Sequence, residues 1–353
     1  MSLSPPPPGP RSTRRTVPLT VFVVGLLLVG GVGIAATAIY LELRPSTTPG
    51  SLTITDDLGR TEKIPSDPTR VALLGPSIMD SIYRLGLRSH VVAVDCYAGF
   101  GNASAGLAED YWADQVALWN LTPSMCIQTA PVFSFESLTN ASPDLVLAST
   151  IVSVADVDEI QDTYHIPVVM LQPATLGGIE VDVSLLGKIF GAASAADALN
   201  AQLQTTFAEA QNITSNLTNS LAPLPTVLVT YYPDPASGDE PGYWTYGPGS
   251  FGESLIEASS GAGIGASADL PYPLLTGDQV LVADPSVIVY GTGPGLDLTN
   301  YQAAPDWSQF TAVKNGTAFG MNSNWLTEPD PTMVLEGLPE LLHLLHPTLA
   351  PAP

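Results

Sequence analysis

The chain has 353 residues, 34 of them acidic against 11 basic, for a formal charge of -23. That length suits two domains of ordinary size plus a tail, and with 45% hydrophobic residues there is ample material for packed cores, which excludes global disorder. Strong acidity without a cluster of Lys and Arg beyond the N-terminus excludes nucleic acid as a partner.

After a Pro-rich start with Arg11, Arg14 and Arg15, the run from Val17 to Leu41 carries no charge and is long enough to cross a bilayer as one helix. The arginines precede it, so the positive-inside rule keeps residues 1–16 in the cytoplasm and puts everything past a linker at 42–51 outside. Ala36-Thr37-Ala38 would also suit a signal peptidase, but an apolar run this long favours a retained anchor. The expected place is therefore the cell membrane, single-pass, with the bulk extracytoplasmic. Two features agree with an oxidising exterior. The two cysteines, Cys96 and Cys126, can close a disulfide, with two buried thiols as the alternative. Acceptor sequons for glycosylation stand at Asn102, Asn120, Asn140, Asn212, Asn216 and Asn315.

The exported part reads as α/β. Short apolar runs Val71 to Leu74, Val91 to Val94, Leu145 to Ala148 and Val168 to Leu171, bounded by Gly, Pro or Asp, predict buried parallel strands of a first lobe at 52–176. Between the first two runs, Pro76 to Leu85 predicts a helix stopped at Gly86. Within a connector at 177–221, Leu199, Leu203, Phe207, Ala210 and Ile213 recur at helical spacing without Gly or Pro, which predicts one long amphipathic strut from Ala195 to about Leu217. A second lobe at 222–353 contains the strands Val227 to Val229 and Val287 to Tyr290, and helices over Ser250 to Ala258 and Thr332 to Leu345.

An internal repeat links the lobes. The segment from Glu136 through Ser142-Pro143-Asp144-Leu145-Val146-Leu147 parallels that from Asp278 through Asp284-Pro285-Ser286-Val287-Ile288-Val289, each acid lying seven residues before a proline. Each acid is placed at the start of a short helix, where the helix dipole by itself already favours it.

In order and motif, residues 52 to 345 resemble the iron-siderophore, haem and vitamin B12 binding proteins of ABC importers. The resemblance rests on Arg70 to Pro76 with Leu85-Gly86-Leu87, Val91 to Asp95, Ser142 to Ala148, His165 to Val169, Gly249-Ser250-Phe251 leading into Leu255-Ile256-Glu257, and Ala283-Asp284-Pro285 before Val287 to Val289. It implies two Rossmann-like lobes joined by one long rigid helix, with the ligand cleft between them. It also implies a monomer that docks on ABC permease subunits with their ATPase, through one acid per lobe at positions matching Glu136 and Asp278, the latter shorter than the usual Glu. For the ligand it points to Tyr97, Ser149, Trp244, Tyr246, Tyr272 and Trp325.

The basic residues of the exported part fall outside those loops, which tilts the cargo toward cobalamin or another corrinoid, or a neutral or cationic ferric chelate. No cofactor and no bound metal are expected. The four histidines are scattered, and the pair His343 and His346 reads as the solvated end of the last helix in preference to two ligands on one face. The alternatives are a surface glycoprotein that keeps the binding fold without transport, and an extracellular hydrolase. For the hydrolase, Gly249-Ser250-Phe251-Gly252 has the look of a nucleophile elbow, but Pro248 stands where its first glycine belongs. Gly261-Ala262-Gly263-Ile264-Gly265 lacks the preceding strand of a dinucleotide loop.

Overall fold

The computed structural model describes residues 50–95, 119–130, 132–218, 223–234, 242–293 and 296–350. The expected span at 17–41, the tail at 1–16, most of the linker, and Cys96, Tyr97 and Asn102 lie outside the described residues. Among the described residues no helix is long and apolar enough to cross a membrane.

An antiparallel hairpin, β1 (Ser51–Thr55) and β2 (Thr61–Pro65), comes first. The first sheet follows as β3 (Val71–Leu74), α1 (Pro76–Arg84), β4 (Val91–Asp95), β5 (Cys126–Ile127), α2 (Phe135–Ala141), β6 (Leu145–Ala148), α3 (Val154–Asp162) and β7 (Val168–Met170). Its strands are all parallel in the order β5-β4-β3-β6-β7. In α1, proline at the first turn suits an N-terminus that lacks partners for its N–H groups, Ile78, Met79 and Ile82 bury one face, and Gly86 at φ 72° ends the run.

Two helices, α4 (Leu176–Ile189) and α5 (Ala193–Thr218), lead to the second half. There the chain runs β8 (Thr226–Thr230), β9 (Tyr232–Asp234), β10 (Gly242–Trp244), α6 (Phe251–Ala258), β11 (Ala262–Gly263), β12 (Leu274–Thr276), α7 (Gly277–Ala283), β13 (Val287–Thr292), α8 (Leu298–Gln302), α9 (Thr311–Asn315), β14 (Ala318–Asn322), α10 (Asn324–Thr327), a π-helical turn Met333–Gly337 and α11 (Leu338–Leu345). The strands β11-β8-β13-β14 form a parallel sheet that repeats the order β4-β3-β6-β7, while β12-β10-β9 make a small antiparallel sheet that the sequence patterns did not reveal. The expected last helix is continuous but carries a π-helical turn, Met333–Gly337, ahead of the α-helical Leu338–Leu345.

The period-two alternation of the strands sorts each sheet's side chains into two cores. Val71, Leu73, Leu145, Leu147 and Val169 of the first sheet share one continuous core with Val227, Val229 and Val289 of the second, closed by Leu199, Leu203 and Ala210 of α5. Ala72, Leu74, Val146 and Val168 face a separate cluster, as do Leu228, Ile288 and Tyr290 on the other side of the molecule. At 26 residues, α5 is longer than the expected helix and spans about 39 Å at the α-helical rise. The halves thus share packed interior beneath it, and sliding one against the other would open that interior to water.

The internal repeat is reproduced residue by residue. Both α2 and α7 have seven residues with the acid second, Glu136 and Asp278. Each is capped by a hydroxyl, Ser134 accepting from Ser137 N and Thr276 from Gln279 N, both at 3.3 Å. Each ends on a left-handed residue before proline, Ser142 at φ 47° and Asp284 at φ 44°, and then enters a central strand.

Candidate functional site: a cleft at the strand ends

In parallel sheets, loops at the carboxyl ends of the strands gather where the chain reverses its direction of travel across the sheet. Both sheets do this, between β3 and β6 and between β8 and β13. A cleft of ≈ 280 Å³ opens there. Pro76 and Ser77 follow β3, Ser149, Thr150 and Ile151 follow β6, and Gln172 follows β7. From the second half come Tyr231 after β8, Tyr246, Phe251 and Tyr272, then Thr327, Glu328 and Pro329 beyond β14.

The two walls differ chemically. On the first-half wall, Gln172 Oε1 accepts from Thr150 Oγ1 at 3.0 Å and from Thr150 N at 3.2 Å, so its side chain is left with N–H donors to offer. Gln172 is itself held from behind, where its N–H donates at 2.6 Å to Asp57 in the β1–β2 turn. Asp57 shares a side-chain hydrogen bond with Asp182 of α4, and burial, with the Asp57 charge beside it, pushes the Asp182 carboxyl up to about 8. Asp182, buried beside the exposed Asp57, therefore keeps its proton at neutral pH and props this wall through Asp57.

The second-half wall is a cluster of rings. Tyr246 lies 4.9 Å from Tyr231, 5.6 Å from Phe251 and 6.2 Å from Tyr272 between ring centroids, spacings typical of tilted aromatic pairs. Tyr246 is the base of the cluster, 1% exposed, with its hydroxyl donating to the Leu326 carbonyl. Its ring lies against Gly252, where any Cβ would come within 2.2 Å of it, so only glycine lets α6 approach. Tyr272 is 38% exposed at the edge of the cluster. Burial raises the phenols of Tyr231, Tyr246 and Tyr272, which stay neutral. Among the described residues no lysine or arginine lines the cleft, and Glu328 is the one carboxyl that does.

Of the residues expected at the ligand, Ser149, Tyr246 and Tyr272 meet in this cleft. Trp244 and Trp325 do not line it: Trp244 sits in β10 opposite Leu274 and Tyr232, and Trp325 packs on the shared core beside Gly337. Tyr231, Phe251, Gln172 and Glu328 were missed. Phe251 lies within the Gly-Ser-Phe motif and Tyr231 directly follows a central strand, and those were the available signals.

Glu136 and Asp278 are both exposed, as are the sequon residues Asn120, Asn140, Asn212 and Asn315. Asn216 falls in α5, and its side chain is outside the description. Cys126 begins β5 and is not a free thiol, while its expected partner lies outside the described residues.

The expectation of a solvated histidine pair is corrected. His346 is 8% exposed and bonded to the carbonyl of Ser259 at 3.0 Å, and His343 Nδ1 pairs with the Ala350 carbonyl at 2.8 Å, so both staple the C-terminal turn. Among the described residues no group of three His, Cys, Asp or Glu converges as metal ligands would. Ser250 caps α6: its hydroxyl donates to Gly247 O at 2.8 Å and accepts from Glu253 N at 3.1 Å, and among the described residues it bonds to no histidine or carboxylate that could activate it.

Known proteins share the fold. The solved ABC-type Fe3+-hydroxamate transport protein of Saccharomonospora viridis superposes with a TM-score of 0.64 at 22% identity, covering 83% of this chain and 97% of that one. The vitamin B12 binding protein of Vibrio cholerae gives 0.58 at 19% identity, covering 80% and 98%. These likenesses show the fold. A cobalamin-binding protein of Halobacterium salinarum is 27% identical over 292 residues, 80% of this chain and 71% of that protein. The family profile described as periplasmic binding protein matches residues 71–324. The chain belongs to the periplasmic binding protein family and is a binding protein, not an enzyme.

Proposed function

We propose that this chain is the membrane-anchored, extracytoplasmic receptor of an ABC importer and that its cargo is a corrinoid. The observation that carries the reading is the cleft with a wall of four rings and, among the described residues, no lysine or arginine. A corrinoid is broad and partly apolar, with a rim of neutral amides, so it suits ring faces on one side and hydroxyl and amide groups on the other. Haem propionates and polyanionic ferric chelates call for basic partners that this cleft lacks. The Halobacterium relative, described as cobalamin-binding, supports the same choice.

In this reading residues 17–41 anchor the chain and 1–16 stay inside. Lobes at 52–176 and 222–353 close over the cargo about the connector at 177–221. Glu136 and Asp278 dock on the permease, one per lobe, and deliver the cargo. Two matched charges at a fixed separation contribute register more than affinity. A Cys96–Cys126 disulfide and glycans on the sequons belong to the same exterior setting.

At ≈ 280 Å³ the cleft is at the lower end of small-molecule sites, so a corrinoid would be gripped over part of its surface. That size favours, as a second reading, a neutral ferric hydroxamate. Calorimetric titration of the full chain in nanodiscs with cyanocobalamin, a neutral ferric trihydroxamate, haem and ferric citrate separates them. Saturable binding of cyanocobalamin supports the corrinoid, binding of the hydroxamate alone supports the second reading, and binding of only haem or ferric citrate overturns both.

A further inference from the structure

Pro76 and Ser77 at the start of α1, and Thr327, Glu328 and Pro329 beyond it in the other half, form facing edges of the cleft. Further along α1 the two halves are tied together. Asp80 and Arg84 stand four residues apart, where side chains of a helix meet, and Arg84 Nε donates to Asp80 Oδ2 at 2.7 Å. Together they take both the backbone N–H and the hydroxyl of Thr332. Its N–H donates to Asp80 Oδ2 at 3.2 Å, and its Oγ1 accepts from Arg84 Nη2 at 3.0 Å.

The need for this clasp is local. The last helix opens at Pro331, so the N–H groups of its first turn have no partner inside the helix, and the proline itself brings none. Asp330 Oδ1 serves one of them, accepting from Met333 N at 3.1 Å. The Thr332 N–H is left to Asp80, so a helix of the second half is completed by an acid of the first. At its other end the same segment is tied to the ring wall, where the Tyr246 hydroxyl donates to the Leu326 carbonyl. Thr327 to Pro329 are thus held on both sides, while Asp80, Arg84 and Thr332 themselves do not line the cleft.

We propose that Asp80 and Arg84 are positioning residues for the cargo: their clasp on Thr332 holds the edge from Thr327 to Pro329 against the first turn of α1, so the cleft is shaped before the cargo arrives. The inference goes beyond the corrinoid reading, because it applies to any ligand that touches both edges. A lining segment that is already ordered spares the ligand the cost of ordering it. Without the clasp the segment samples positions that do not bind, and apparent affinity falls by the fraction that stays competent. The signature is kinetic. Since the clasp touches no ligand, its loss slows association and leaves dissociation unchanged, whereas loss of a direct contact speeds dissociation.

The test compares the full chain in nanodiscs as wild type, Asp80→Ala, Asp80→Asn and Thr332→Val. Without cargo, hydrogen exchange of the peptide spanning 323–333 is expected to be about 10-fold faster in Asp80→Ala and close to wild type in Asp80→Asn, which keeps an acceptor for the Thr332 N–H. Stopped-flow binding of cyanocobalamin is expected to show association slowed about 5- to 10-fold in Asp80→Ala and about 2- to 5-fold in Thr332→Val, which keeps the backbone bond, with dissociation within about 2-fold of wild type. Thermal unfolding confirms that each variant folds, and if Asp80→Ala does not, Thr332→Val carries the same test. Unchanged exchange over 323–333, an affinity loss carried by faster dissociation, or no affinity loss overturns the proposal. If cyanocobalamin does not bind the wild type, the corrinoid reading alone falls, and a neutral ferric trihydroxamate takes its place in the same kinetic measurement. If neither probe binds, exchange in the free protein decides: faster exchange in Asp80→Ala upholds the clasp, and unchanged exchange overturns it.

Discussion

The two walls of the cleft are built on the same strand order, yet one offers hydroxyls and an amide while the other offers rings. The repeat has kept the parts that make a half fold: seven-residue helices with a hydroxyl cap, a left-handed stop, a proline and a buried strand. The loops at the strand ends differ between the halves: those of the first half line the cleft with hydroxyls and an amide, while in the second half Tyr246 and Phe251 line it and also belong to the shared core. A cargo seated here would stack on one half and hydrogen-bond to the other.

The ring wall should break first. Tyr246 is buried beneath its neighbours, so Tyr246→Ala is expected to destabilise the protein by about 3–5 kcal/mol, read as a lower denaturation midpoint. A loss below about 1 kcal/mol would mean that the rings do not pack as a unit. The opposite wall is propped by the Asp57–Asp182 pair, whose cost depends on pH. Because the Asp182 carboxyl is raised to about 8, its contribution is fully present below the unfolded value near 3.8 and is lost as pH rises through about 8. Asp182→Asn should remove that loss, making the variant more stable than wild type at pH 8 by on the order of 3 kcal/mol, with the gap closing toward pH 4. Chemical denaturation at both pH values checks this, and an equal gap at both would place the effect elsewhere.

Smaller effects belong to the exposed groups. Tyr272→Ala should leave folding nearly intact and weaken cargo binding about 10-fold, measured by calorimetry. Glu136→Ala and Asp278→Ala should each cost less than about 1 kcal/mol of stability and leave cargo affinity unchanged while abolishing uptake in reconstituted vesicles. Unimpaired uptake by the double variant would remove these acids from docking.

The sequence carried the scaffold well because its signals are local. Proline after each repeat helix, glycine after Leu85 and uninterrupted apolar runs each fix an element within a few residues. The long helix was legible from Leu199, Leu203 and Ala210 alone, but the core it closes over both sheets was not, since that depends on which strand face turns toward it. The cleft was half legible. Ser149, Tyr246 and Tyr272, expected by position in a resemblance, line the cleft, whereas Trp244 pairs within β10 and Trp325 packs on the core. Glu328 left no pattern in the chain: it lines the cleft with Ser77, some 250 residues away.

The central claim is that a neutral cargo lies between a ring wall and a hydroxyl wall. A crystal structure of the full extracytoplasmic part with cyanocobalamin tests it most directly. The account predicts the corrin resting on Tyr231, Phe251 and Tyr272, with its amides toward Ser149, Gln172 and Glu328. A corrin bound elsewhere, or with its amide rim turned to the rings, would contradict it.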